Sequence, residues 1–74
     1  MVEPLLEKIR EINDGNFDDD AGLDPSSWDS VDMLDIISII DVSYDVTIPV
    51  DQIKTCRTVG DLRRLIHSVA AAAS

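Results

Sequence analysis

The segment from Asp29 to Tyr44 constrains the fold most, because apolar residues are dense along its whole length. At about 100° per residue, a helix over this segment gathers one set of large apolar side chains on a single arc that faces a core. That set is Met33, Ile36, Ile37, Ile40 and Tyr44. The other side of the same helix carries Val31, Leu34, Ser38 and Val42. A helix that is apolar beyond its buried side indicates a surface that meets a partner.

The residues before this helix predict one more helix and a long loop. Val2–Ile12 has helical periodicity, and Pro4 is tolerated in the opening turn. Asp14–Asp29 is rich in Gly, Pro, Ser and Asp, which is typical of a loop. We expect three isolated apolar residues to anchor this loop to the rest of the domain: Phe17, Leu23 and Trp28.

The residues after the central helix predict a short helix and a final longer one. Val46–Pro49 is extended, and the proline starts a short helical turn through Val50 and Ile53. The last helix runs from Val59 to about Val69, and residues 70–73 extend it or fray. Its inward residues are Leu62, Leu65, Ile66 and Val69.

A capping signal marks the start of that last helix. Thr58 is a strong N-cap candidate, and Asp61 stands at the capping-box position. Three main helices and one short helix, joined by a long first loop, predict an all-α fold. We expect a small antiparallel four-helix bundle that forms a single domain over residues 1–74.

The charge of the chain limits its partners. Among 74 residues there are 15 acidic and 6 basic side chains, which gives a net charge of −9. Residues 1–29 carry −7, residues 30–49 carry −4 and residues 50–74 carry +2. An acidic surface repels phosphate backbones, so we expect basic protein patches as partners and no nucleic acid.

Cysteine usage and hydropathy indicate a compartment. Cys56 is the single cysteine, which excludes an intramolecular disulfide and is typical of a reducing environment. We interpret it as a buried spectator thiol. No stretch approaches the ~20 apolar residues of a membrane helix, and no export signal is evident. We expect a cytoplasmic monomer without membrane insertion.

The sequence gives little support for a catalytic site or a metal site. No nucleophile–base pair is evident, and His67, the single histidine, suits a structural or surface role. The acidic loop resembles a calcium loop at first, but registers starting at Asp14 or Asn16 lack the glycine at position six and the glutamate at position twelve. We expect no metal site and no enzyme activity. Arg63 and Arg64 are expected to form a solvated face.

Ser30 is the residue with the clearest chemical potential. If Asp29 caps the central helix, the Ser30 hydroxyl is free in the first turn, beside unpaired backbone N–H groups. A covalently attached phosphate would be stabilised there. On composition alone, an ordinary N-terminal helix serine, or a serine that is itself the cap, is the favoured interpretation.

The order of motifs resembles that of a known family. Asp29–Asp35 is similar to the Asp-Ser-Leu segment of acyl and peptidyl carrier proteins, whose serine carries 4′-phosphopantetheine. As in those carriers, the helix that follows ends in an aromatic residue, here Tyr44. Val46–Pro49 matches the family's Val-x-Ile-Pro, and Thr58–Leu62 resembles the Thr-Val-x-Asp-Leu start of its last helix. The resemblance covers roughly residues 20–67 at family spacing.

The chain also departs from the family pattern. Trp28 stands where many carriers have glycine or another small residue, and Val31 replaces the usual leucine. Val42 and Ser43 replace an acidic pair that is common near the end of the second helix. These differences concern the pathway and the partners more than the carrier role.

The resemblance implies a shuttle without catalytic groups of its own. A phosphopantetheinyl transferase would move the arm from coenzyme A to the Ser30 hydroxyl, beside Asp29. The arm's thiol would hold an acyl group as a thioester and present it to loading and transferring enzymes that carry basic patches. The implied docking residues are Val31, Asp32, Leu34, Asp35, Ser38 and Asp41.

We therefore expect a stand-alone acyl carrier protein of fatty-acid, polyketide or related biosynthesis. The acidity of residues 1–49 favours an acyl over an aminoacyl cargo. A peptidyl carrier protein of nonribosomal peptide synthesis is the alternative within the family. Outside it, the rivals are an unmodified acidic interaction module and, third, a small metal-binding module.

Overall fold

The computed structural model describes residues 3–73, and these residues form four helices and no strands. The helices are α1 (Glu3–Ile12), α2 (Ser30–Tyr44), α3 (Val50–Ile53) and α4 (Val59–Ala73), and a 3₁₀ turn (Pro25–Ser27) precedes α2. The expectation of three main helices and one short one in an all-α bundle is confirmed. Val2, at the start of the predicted first helix, lies outside the described residues. No helix within residues 3–73 is long and apolar enough to span a membrane.

The core is aliphatic, as the low aromatic content requires. Its buried residues come from all four helices and the connections, and they include Cys56. Trp28 and Tyr44 are only partly buried and pack against it. The fully buried side chains with no exposed surface are Leu5, Ile9, Ile36, Ile40, Ile53, Val59, Leu62 and Ile66.

Helix α2 has the two faces that its periodicity predicts. Met33, Ile36 and Ile40 are buried, with Ile37 and Tyr44 packed at the edge of the core. On the other side, the exposed fractions are 66% for Val31, 61% for Leu34 and 86% for Val42. Asp45 caps the end of α2, and its left-handed backbone (φ 56°, ψ 40°) turns the chain away from the helix axis.

The long first loop is fastened to the start of α4 by its backbone. The Leu23 N–H donates to the Arg57 carbonyl at 2.9 Å, and the Val59 N–H donates to the Ala21 carbonyl at 3.0 Å. A single antiparallel bridge pairs Gly22 with Thr58. These bonds hold the loop, so it does not depend on apolar anchors alone.

Phe17 contacts the rest of the domain, as expected of an anchor, but only at the surface and outside the core. Its ring is exposed and lies under the guanidinium of Arg10, 4.7 Å from the ring centroid. Leu23 is buried and Trp28 is half-buried, as predicted. Phe17 follows closely after the end of α1, so its ring packs against Arg10 of that helix through a cation–π contact at the surface.

The predicted capping of α4 is confirmed. The Asp61 N–H donates to the Thr58 hydroxyl at 3.1 Å, and the Asp61 carboxylate accepts the Arg57 N–H at 3.1 Å. The guanidinium of Arg64 also donates to Asp61, and this hydrogen bond is the main reason why the pKa of Asp61 lies below its usual range. The helix continues through the alanine run to Ala73.

Arg63 and Arg64 do not form a purely solvated face. Arg63 makes two hydrogen bonds to the Asp19 carboxylate, at 3.1 and 2.8 Å, and so ties α4 to the first loop. This bidentate contact lowers the pKa of Asp19 and raises that of Arg63. The residues lie 44 positions apart in the sequence, and the long loop brings them together.

Candidate functional site

Ser30 is the first residue of α2 and is exposed. Asp29 precedes it with extended backbone (φ −62°, ψ 154°), and its carbonyl accepts the Met33 N–H at 3.0 Å. Asp29 is therefore the N-cap, as predicted, but its carboxylate makes no capping hydrogen bond. Because Asp29 is exposed, water competes for that carboxylate and the backbone alone sets the start of the helix.

A cavity of about 330 Å³ opens beside Ser30. The 3₁₀ turn, the first two turns of α2, and both the first residue and the C-cap of α3 form its walls, and its surface is mainly apolar. Trp28, which departs from the family pattern, lines one wall. The lining residues are Pro25, Ser26, Trp28, Ser30, Met33, Leu34, Val50 and Lys54. The sequence did not predict this cavity, because three separate segments build it.

Lys8 of α1 holds two of the predicted docking acids. Its ammonium nitrogen lies 3.0 Å from Asp32 Oδ1, 3.1 Å from Asp35 Oδ2 and 4.0 Å from Glu11 Oε2. The Lys8 side chain is only 11% exposed, and its hydrogen bonds to Asp32 and Asp35 raise its pKa. We call this arrangement the Lys8 clasp.

The Lys8 clasp was not predicted from the sequence. Asp32 and Asp35 do lie on α2 as predicted, but they neutralise a lysine of the same chain instead of standing free for a partner. A search for oppositely charged residues on the neighbouring faces of α1 and α2 would have found it. Lys8 follows Leu5 by three positions, which places it at the edge of the buried face of α1.

The remaining predicted docking residues form an outward stripe on α2. At helical spacing, Val31, Leu34 and Ser38 follow one another along the helix, with Asp41 about one turn further. All four are exposed, as is the neighbouring Val42. Within residues 3–73, Asp41 has no ion pair, in contrast to Asp32 and Asp35. The stripe is therefore apolar near Ser30 and acidic towards the end of α2.

Cys56 and His67 lie in surroundings that match their predicted roles. Cys56 is 5% exposed, and burial raises the pKa of its thiol, so the protonated form dominates at neutral pH. His67 is exposed, and its ring meets that of Tyr44 edge-on, with centroids 6.4 Å apart. Neither side chain lines the cavity beside Ser30. Over the described part of the chain, no three His, Cys, Asp or Glu side chains come together as metal ligands.

Comparison with known proteins shows which family the chain belongs to. A family model described as a phosphopantetheine attachment site matches residues 2–66, which is most of the chain. No curated protein and no solved structure gave a match. The matched family is defined by covalently attached 4′-phosphopantetheine, and its carrier domains are not themselves catalytic but interact with phosphopantetheinyl transferases and biosynthetic enzymes. The chain therefore belongs to the family of phosphopantetheine-carrying acyl and peptidyl carrier proteins.

Proposed function

We propose that this chain is an acyl carrier protein whose 4′-phosphopantetheine arm is attached to Ser30. The observation that carries the proposal is the position of this serine. It is exposed at the first residue of a 15-residue helix, follows Asp29 and stands on the rim of a mainly apolar cavity. The acidity of residues 1–49 favours an acyl cargo of fatty-acid, polyketide or related biosynthesis over an aminoacyl cargo.

The residues around Ser30 fit such a group. The hydroxyl is accessible to a transferase, and the Asp29 carboxylate leaves the first N–H groups of α2 uncapped, so they favour a phosphate nearby. When bound, the arm supplies a terminal thiol that holds an acyl group as a thioester. The chain itself supplies the attachment oxygen, the positioning of that oxygen and the surface that partners recognise.

We expect attachment to require a partner enzyme that binds coenzyme A and supplies the base for the Ser30 hydroxyl. The serine oxygen forms a bond to the phosphorus that bears the pantetheine portion of coenzyme A. The bond from that phosphorus to the bridging oxygen breaks, and 3′,5′-adenosine bisphosphate leaves. The hydroxyl proton passes to a base of the transferase. Among the described residues, the single histidine lies on α4 and does not line the Ser30 cavity.

We place the docking surface on the outward stripe of α2. Val31 and Leu34 supply apolar contact beside Ser30, Ser38 continues it, and Asp41 supplies the charge that a basic patch meets. The Lys8 clasp makes Asp32 and Asp35 weaker contributors than the sequence suggested. Single exposed ion pairs contribute about 0.2–1 kcal/mol, which gives the fast release that a shuttle needs.

The attachment site is tested by intact-mass spectrometry after incubation with coenzyme A and a promiscuous phosphopantetheinyl transferase. We expect a gain of about 340 Da for the wild type and none for Ser30→Ala. Ser26→Ala is the matched control, because Ser26 lines the same cavity and should still be loaded. A gain by Ser30→Ala would overturn the assignment. No gain by folded wild type would instead favour an unmodified interaction module.

The docking surface is tested by the rate of the same transfer. Asp41→Lys should lower kcat/KM roughly 2- to 10-fold at low salt, because one attraction becomes a repulsion. Asp35→Lys should have a smaller effect on docking, since Asp35 is engaged by Lys8. Asp20→Lys in the first loop makes the same charge change beside α4 and is the control. Equal rates for Asp41→Lys and Asp20→Lys would place the contact elsewhere.

A further inference from the structure

The basic side chains of this chain are unevenly paired. Lys8 is held by the clasp, and Arg10 lies over the Phe17 ring. Arg63 and Arg64 pair with carboxylates of Asp19 and Asp61. Within the described residues, the side chains of Lys54 and Arg57 have no such partner. Although the chain has 15 acidic side chains, none of those described pairs with these two cations, so their charges are available to an anion from outside the chain.

Lys54 is the one of these two that lines the cavity beside Ser30. It caps the end of α3 and lines both this cavity of about 330 Å³ and a neighbouring one of about 530 Å³, whereas Arg57 lines only the second. The cavity that Lys54 shares with Ser30 is also lined by the apolar side chains of Met33, Leu34 and Val50. An anion placed on Ser30 would therefore share a mainly apolar cavity with a lysine.

We propose that Lys54 binds the phosphodiester of the arm on Ser30 and so lays the first part of the arm along this cavity. The inference rests on the function proposed above. A phosphodiester carries one negative charge, and Asp29 beside Ser30 repels it. Lys54 lines the same cavity and offsets that repulsion, on a flexible stem with three rotatable donors. The apolar wall complements the dimethyl-substituted carbon that follows the phosphate in pantetheine.

The consequence is an arm that spends part of its time against the protein instead of in water. Trp28 lines the same cavity and is the single tryptophan of the chain, so its fluorescence reports on occupation of the cavity. Because the contact is a surface ion pair, raising the salt concentration should release the arm. Lys54 is thus a positioning residue and takes no part in forming or breaking bonds.

The test uses the loaded protein in three forms: wild type, Lys54→Gln and the matched control Arg57→Gln. Intact mass first establishes loading of each. The ³¹P resonance of loaded wild type at low salt should differ from that of the same protein unfolded in urea, and should move towards it with added NaCl. Lys54→Gln should lose this salt-dependent shift, and Arg57→Gln should keep it. The change in Trp28 emission between unloaded and loaded protein should likewise disappear only in Lys54→Gln.

Two results would overturn the inference: one leaves the carrier function standing, and the other removes it as well. If all three proteins load but the ³¹P shift of Lys54→Gln equals that of the wild type at low salt, Lys54 does not bind the phosphodiester while the carrier function stands. If folded wild type gains no mass on Ser30, both the carrier assignment and the role of Lys54 fail. Lys54→Arg is the positive control, because it keeps the positive charge and should show the same salt-dependent ³¹P shift as the wild type. Equal melting temperatures of the unloaded variants show that the fold is unchanged.

Discussion

At the scale of single residues, Gly60 is a point of close approach between the first loop and α4. Its N–H donates to the Asp19 carbonyl at 3.0 Å. A Cβ built on Gly60 would lie 2.9 Å from that same carbonyl oxygen and 3.2 Å from the Asp19 Cβ. The oxygen belongs to backbone and the Asp19 Cβ is bonded directly to backbone, so neither atom can simply swing aside. The glycine is required here by space, not by an unusual backbone angle.

Gly60→Ala should therefore destabilise the protein although alanine favours helices. Overpacking usually costs about 1–3 kcal/mol, and a helix-propensity gain of about 1 kcal/mol offsets part of that cost. We therefore expect the free energy of unfolding to fall by up to about 2 kcal/mol. Urea unfolding followed by circular dichroism measures it. Gly22→Ala is the control, since a Cβ there meets nothing within 4 Å. Equal losses in the two variants would contradict the close approach.

The sequence predicted the residues around Gly60 but not its role. Thr58 and Asp61 carry a capping signal that depends only on their spacing. The crowding at Gly60 depends on Asp19, which the loop brings from far along the chain. Ser30 was predicted by its motif, whereas Lys54 was not, because their shared cavity exists only once α3 has packed beside α2.

At the scale of elements, the two faces of α2 were predictable and the contacts between elements were not. The periodicity of residues 29–44 records which side is buried, because burial along a helix repeats with its turn. Ion pairs between elements leave no such local trace. The Lys8 contact to Asp32 spans 24 positions, and the Arg63 contact to Asp19 spans 44. Each of these two contacts connects a pair of elements. From the sequence, the charged residues of those elements could only be assigned to separate acidic or basic surfaces.

The link between the first loop and α4 should depend on pH. Since Arg63 lowers the pKa of Asp19, the stabilisation is present above the ordinary aspartate pKa of about 4 and is lost as the pH falls through the lowered value. Asp19→Asn should therefore reduce the urea midpoint at pH 7, and the difference from wild type should close as the pH falls through the lowered pKa of Asp19. Asp18→Asn removes a neighbouring carboxylate that has no ion pair in the described structure, so at pH 7 it should reduce the urea midpoint less than Asp19→Asn does. A wild-type minus Asp19→Asn difference that persists at low pH would contradict the ion pair as its source.

At the scale of the whole molecule, net charge opposes the fold. The described chain measures 33 × 24 × 22 Å. At 0.01 M salt the screening length is about 30 Å, so charges at opposite ends still repel, whereas at 1 M it is about 3 Å. Salt also weakens the ion pairs, but these are few beside a net charge of −9. Repulsion is therefore the larger effect of the two.

We expect the melting temperature to rise by several degrees between low and high NaCl. A double variant, Asp18→Asn with Asp20→Asn, removes two exposed charges from the acidic loop and should show a smaller rise. Scanning calorimetry at fixed pH measures both. A melting temperature that falls with salt would mean that the ion pairs outweigh the repulsion.

The Lys8 clasp has a consequence for how the whole molecule responds to a partner. A basic side chain that reaches for Asp32 or Asp35 competes with an ammonium group already held at 3.0 and 3.1 Å. If a partner engages that end of α2, an external contact replaces an internal one, and α1 loses one of the contacts that attach it. Partner binding and the attachment of α1 are then linked. Weakening the clasp should favour such a partner and lower the melting temperature only slightly, because Leu5 and Ile9 still hold α1 in the core.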